Sequence, residues 1–301
     1  MNFGGLLKSI SAVLLSAVLS TLNFSSLAAQ VPAFGALRAS APQRFELVMP
    51  PAASVAAPYS PYALKTALSG EQLFSYLHET TAFSRAGYQP SYKGSKAYMY
   101  STADNSGCDG VPGILTFYSQ VCVKGSSNNG ENYKEQGDAN NDGVVDTFIN
   151  AEHLWPQSYF NSALPMVADL HHLQSTFATP NGRRGNLPFA KVAKATYRTS
   201  SGSKLGSEGF EPADAVKGNV ARAMFYFIVR YSDKNIKQGM NYNSFWTSRV
   251  NMLMEWNRQD PPDANELRRN GLVEKFQGNR NPFIDNPELV DQIGEQVFKA
   301  H

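Results

Sequence analysis

Apolar positions change character along the chain. Behind Lys8 they form a run from Ile10 to Leu22. They lose all period across the Ala-, Pro- and Ser-rich stretch 29–62, which reads as a flexible extension without a core of its own. From Ser69 the pattern turns helical. Ser69-Gly-Glu-Gln72 has the form of a capping box, and Leu73, Phe74 and Leu77 follow at helical spacing. The ILTFYSQVCV run, 114–123, has the aromatic and β-branched content of a strand. Val216, Val220, Ala223, Phe227 and Ile228 mark a core helix between Pro212 and Tyr231. Further helices are expected from about Ser244 to Arg258, stopped by Asp260-Pro-Pro262, and from Asp263 to about Gln277, closed by Gly278. A terminal helix is expected from Pro287 to Phe298. The expected fold class is α+β: a mainly helical single domain over 63–301, with a small strand-containing module around 150–189.

Composition adds two limits. At 301 residues and 42% hydrophobic content, one sizeable core is within reach. A formal net charge of only +2 means that any polyanionic partner must be held by locally clustered cations. Lys8, the apolar run and the small residues Ser26-Leu27-Ala28 have the form of a secretory signal over 1–28, cleaved after Ala28 or Ala29. No later segment has the ~20 apolar residues of a membrane span, so a secreted or periplasmic protein is expected. In an oxidising compartment Cys108 and Cys122 are expected to pair as a disulfide.

The chemistry concentrates in Asn150–Phe189. Glu152 and His153 are adjacent, and neighbours on a regular strand face opposite ways. Both serve one site only at a strand end, which Trp155-Pro156 supplies. Either both bind a metal, or the carboxylate binds it while the imidazole takes a proton. The absence of a histidine four residues after His153 argues against a zincin protease. Asp169 and Asn181 offer hard oxygen donors suited to Mg²⁺, Mn²⁺ or Ca²⁺. Arg183 and Arg184 suit bidentate phosphate binding. His171 and His172 read as core hydrogen bonders. Arg222, Arg268, Arg269 and Arg280 are open between a phosphate track and structural ion pairs. Upstream, Asp138, Asn140, Asp142, Val144 and Asp146 occupy EF-hand ligand positions, with Gly143 at the turn, but Ile149 stands where the closing Glu belongs. A structural Ca²⁺ and a plain acidic turn both remain open there.

The motifs Asn150-Ala-Glu152-His153-Leu-Trp-Pro156, Asp169-Leu-His171-His172-Leu173 and Asn181-Gly-Arg183-Arg184-Gly-Asn186 resemble the bacterial endonuclease I family. The resemblance extends over about 65–298. It implies an exported, nonspecific DNA and RNA endonuclease built around a ββα-metal (His-Me) finger; a monomer with no membrane partner after signal removal is expected. It implies His153 as general base, Glu152 and Asn181 as ligands of Mg²⁺ (or Mn²⁺), and Arg184 near the scissile phosphate, with Arg183 beside it. It also implies 5′-phosphate products. Pro180 departs from the pattern, so the finger helix is expected to begin near Thr179 or to kink. The rival expectation is a secreted, calcium-stabilised nucleic-acid-binding protein without catalysis.

Overall fold

The computed structural model describes residues 68–145 and 148–301. The expected signal over 1–28, the extension over 29–62 and the candidate ligand Asp146 lie outside these residues. The described elements are helices mixed with small antiparallel sheets, an α+β arrangement.

The central helix, Lys217–Tyr231, is buried on nearly every side. This follows from its run of Val220, Phe225, Phe227 and Ile228, too apolar for a surface helix. Around it pack Gly70–Thr80, Val250–Gln259 and the short C-terminal helices. Gly218 opens this central helix because no Cβ fits there: it would collide with the carbonyl oxygen of Asp260 and the guanidinium of Arg222. Arg222 itself is fully buried and forms an ion pair with Glu266 at 2.5 Å. A second cluster joins Met99, Ile114, Tyr133, Ile149, Leu173, Phe177 and Val273 beneath the site.

In chain order, the elements that position the site are α1 (Gly70–Thr80), α2 (Tyr92–Tyr98), β1 (Gly113–Leu115), β2 (Cys122–Lys124), β3 (Ile149–His153), β4 (Leu173–Phe177) and α3 (Ala178–Arg184). The expected single strand over 114–123 is instead a hairpin, with β1 and β2 paired antiparallel and Cys122 opposite Leu115. Its turn closes through Thr116, whose N–H donates to the Val121 carbonyl at 2.9 Å, and Gln120 takes a positive φ of 54°. Composition favoured a strand, but the Thr116 hydroxyl, donating to the Val121 carbonyl at 3.0 Å and accepting from the Val121 N–H at 3.2 Å, holds the run folded back on itself. The Cys108–Cys122 disulfide forms as expected, with Cα atoms 5.7 Å apart.

Ser69 stands at the N-cap of α1, yet its hydroxyl makes no capping bond. The helix expected from Asp263 begins there, with Asp263 accepting from Glu266 N–H at 2.7 Å, and ends at Gly278 in the left-handed region. The single terminal helix expected over 287–298 is two pieces, Leu289–Ile293 and Glu295–Ala300, because Gly294 (φ 86°) interrupts it. A three-stranded sheet of Tyr197–Arg198, Lys204–Gly206 and Gly209–Glu211 was not anticipated. Strands this short carry no readable alternation.

Candidate active site

Strands β3 and β4 pair antiparallel with Glu152 opposite Gln174 and His153 opposite Leu173, and α3 follows β4 without a loop. Helix α3 starts at Ala178, so Pro180 falls in its first turn, where the missing N–H has no helical partner anyway. The start at Ala178 agrees with the expected beginning near Thr179. Its Asn181 reaches back to β3. The Asn181 Nδ2 donates to Asn150 Oδ1 at 2.7 Å and to the Ala151 carbonyl at 3.3 Å. A backbone carbonyl only accepts, so the amide nitrogen must face it and Oδ1 is the atom left over.

Glu152 and His153 close β3 and point to different partners, yet both line one cleft of about 730 Å³ together with Asn181. Glu152 is buried, and its Oε1 accepts from the Tyr118 hydroxyl at 2.6 Å and from Arg184 Nη1 at 3.0 Å. Burial pushes its carboxyl above the ordinary range, and Arg184 and the Tyr118 hydroxyl work against that push. His153 Nε2 lies 3.1 Å from the Val167 carbonyl. That oxygen can only accept, so Nε2 carries the proton and Nδ1 is the ring's basic atom. Burial, with the neighbouring His172, pushes the imidazole down to about 3, so the ring is neutral in the free protein.

Arg184 departs from its expected role. Its side chain has no solvent exposure, and it donates to Glu152, to the His153 carbonyl at 2.9 Å and to the Leu154 carbonyl at 2.6 Å. Its guanidinium also lies over the Phe189 ring. It therefore fixes the end of β3 rather than facing a substrate. Arg183 is exposed, stacks over Tyr197 and does not line the cleft. The four other candidate arginines also bond within the protein. Arg222 holds Glu266, Arg269 holds Asp104 and two carbonyls, Arg280 holds Asp285, and Arg268 donates to the Ala103 carbonyl.

His171 and His172 are buried behind the site. His171 Nε2 meets the Asn279 carbonyl at 3.0 Å and His172 Nε2 the Met166 carbonyl at 2.7 Å. Asp169 anchors this knot, accepting from Tyr226, Tyr231, Gln277 and the His171 N–H. Burial alone would raise the Asp169 carboxyl, but His171, His172 and the donors outweigh it and hold it low. Burial pushes His172 down to about 4 against the pull of Asp169. An unfolded histidine titrates near 6.5, so the unfolded chain takes up this proton first as pH falls. His172 should thus lower stability progressively below pH 6.5, by about 2 kcal/mol at pH 5. Thermal unfolding across pH 7 to 5 measures this, and a His172→Phe variant should have a shallower pH dependence than the parent.

At the candidate calcium loop, Asp138 accepts from the Asp142 and Gly143 N–H groups, both at 2.9 Å. Asp142 takes the Val144 N–H and the Tyr197 hydroxyl, and Asn140 donates to Glu135. These bonds tie together the described part of the acidic turn. Among the described residues no group of three His, Cys, Asp or Glu side chains is placed to hold a metal. Glu152 and Asn181 are among the residues that bring hard oxygen atoms to the cleft, and such donors would suit a hard cation.

Three residues at the site escaped sequence reasoning: Lys93 and Lys96, which line the cleft, and Tyr118, buried behind Glu152. Tyr118 lies in the run read as a strand, and nothing in the sequence singled out the two lysines on α2. No motif marked any of them.

Residues 62–288 match the family model described as Endonuclease I. An extracellular ribonuclease of Bacillus amyloliquefaciens is 39% identical over 155 residues, covering 48% of this chain and 53% of that protein. An Endonuclease-1 of Buchnera aphidicola subsp. Baizongia pistaciae is 30% identical over 121 residues, 38% of this chain and 45% of its own. An extracellular deoxyribonuclease of Aeromonas hydrophila is 28% identical over 124 residues, covering 40% and 50% of the two chains. The chain thus spans about half the length of the curated relatives it matches.

Proposed function

The chain belongs to the endonuclease I family, and from that premise we propose that it is an exported, divalent-cation-dependent endonuclease that hydrolyses DNA and RNA with little regard to sequence. The observation that carries this reading is the division of atoms in one cleft. His153 Nε2 is tied to Val167, which frees Nδ1 as a base, while the anchored amide of Asn181 leaves its Oδ1 free as a ligand. We read β3, β4 and α3 as the ββα-metal finger of the family. Residues 1–28 are read as the signal, 29–62 as the extension and 63–301 as the catalytic domain of a monomer. Relatives named as extracellular or periplasmic nucleases support export. Among the described residues no helix is long and apolar enough to cross a membrane.

In this reading Glu152 and Asn181 hold the cation, Mg²⁺ or Mn²⁺. When bound, such an ion neutralises charge developing on the phosphoryl and leaving 3′ oxygens. His153 Nδ1 takes the proton of the attacking water, and its neutral ring is the competent form. Burial lowers that ring's proton affinity, and a phosphate anion beside it acts in the opposite direction. Val167 holds the tautomer, while Tyr118 and Arg184 hold the Glu152 carboxylate in place. Cleavage of the bond to the 3′ oxygen leaves a 5′-phosphate.

Incubation of plasmid and total RNA with Mg²⁺, Mn²⁺, Ca²⁺ or EDTA tests this. Cleavage of both is expected in Mg²⁺ or Mn²⁺, stopped by EDTA and restored by excess Mg²⁺. Undiminished cleavage in EDTA contradicts the reading. Binding without cleavage in Mg²⁺ would favour the non-catalytic, calcium-stabilised rival.

A further inference from the structure

We propose that the α2 wall of the cleft holds the nucleic-acid strand, with the ammonium groups of Lys93 and Lys96 taking the backbone phosphates that flank the scissile one. This rests on the nuclease reading above. The expected phosphate-binding arginines are accounted for elsewhere: Arg184 is buried against Glu152, Arg183 lies over Tyr197, and Arg222, Arg269 and Arg280 are locked in ion pairs. A polyanion still needs positive charge at the cleft, and the chain's small net charge does not supply it from a distance. Among the described residues the lysine and arginine side chains lining the cleft are Lys93 and Lys96, and neither forms an ion pair there.

Their placement suits the task. Three residues apart on α2, they project from the same helix face. The Lys96 ammonium lies 4.5 Å from the centre of the Tyr92 ring, and that ring lies 5.4 Å from the ring of His153. One aromatic side chain therefore separates the cation from the base. Lys93 is exposed further out along the same face. Lysine gives point charges without base-reading geometry, which matches backbone recognition.

The test is binding of fluorescein-labelled single-stranded and duplex DNA in EDTA over a series of salt concentrations, with cleavage kinetics in Mg²⁺ alongside. Lys93→Ala/Lys96→Ala should weaken low-salt binding about tenfold and flatten the slope of log K against log[salt] by roughly one to two. In Mg²⁺ its KM should rise while kcat changes little. Lys191→Ala/Lys234→Ala removes the same two charges away from the cleft and should leave both readouts as in the parent. The proposal is overturned if the α2 variant matches the parent in Kd and slope, if the control pair reproduces its effect, or if the parent shows no salt-dependent binding. Salt-dependent binding that the α2 variant loses, without cleavage in any cation, would leave the wall standing and sink the nuclease reading. Normal cleavage by an α2 variant indistinguishable from the parent would do the reverse.

Discussion

Substituting His153→Ala is expected to reduce plasmid cleavage by about 10²–10⁴-fold, the range associated with loss of a general base. The effect should fall on kcat. His153 Nδ1 is the basic atom that the Val167 carbonyl leaves over, and among the described residues no other imidazole lines the cleft. His172 stands closest, 5.4 Å between ring centres, but it is buried and bonded to Met166. Folding should survive with a modest loss, about 1–3 kcal/mol for leaving the buried Val167 carbonyl without its donor. Melting temperature and circular dichroism measured beside the cleavage rate separate the two effects. Cleavage at the parental rate by a folded variant removes His153 from the chemistry.

Arg184→Met should be the most damaging single change to the fold around the site. It strands a buried carboxylate and takes the donor from the His153 and Leu154 carbonyls together. Breaking a buried pair on one side carries a penalty of about 3–5 kcal/mol. Arg184→Lys should recover little, because an ammonium lacks the fork that spans these acceptors. Arg183→Ala, one residue earlier but exposed, should stay within about 0.5 kcal/mol of the parent. Denaturant unfolding of the three variants decides it. Equal stability of Arg183→Ala and Arg184→Met would contradict the roles assigned from their burial.

The two arginines also mark where sequence reading reaches its limit. Adjacent residues of one type, both suited to phosphate, end in different surroundings on a short helix: one seals the base of the site and the other lies on the surface. Spacing gives the residue types, but the rotation of α3 about its axis, set by packing against Phe189 and the end of β3, decides which one is buried. Helix positions along the chain were legible where apolar spacing persisted, as over Lys217–Tyr231, or where both ends were marked, as by Asp263 and Gly278 around Ala264–Gln277. Short elements were not. The hairpin at 113–124 looked like one strand, and the sheet around Ser203 gave no pattern. Yet these pieces deliver Tyr118 to Glu152, and the hydroxyls of Thr199, Ser201 and Ser203 all donate to the Tyr118 carbonyl. Glu152, His153 and Asn181 were visible in the sequence because their chemical types are scarce in combination. Tyr118, Lys93 and Lys96 were hidden because only long-range packing gives them a role.

The central claim is that Glu152 and Asn181 hold one divalent cation beside the base. Its most direct test is the dependence of initial cleavage rate on Mg²⁺ concentration for the parent, Glu152→Gln and Asn181→Ala, with Mg²⁺ binding followed by calorimetry in the absence of nucleic acid. Both variants should need at least about tenfold more Mg²⁺ to reach half of their maximal rate, equivalent to about 1.4 kcal/mol of lost ligation, and bind the ion correspondingly more weakly. Mg²⁺ midpoints and binding constants equal to those of the parent in both variants would contradict it.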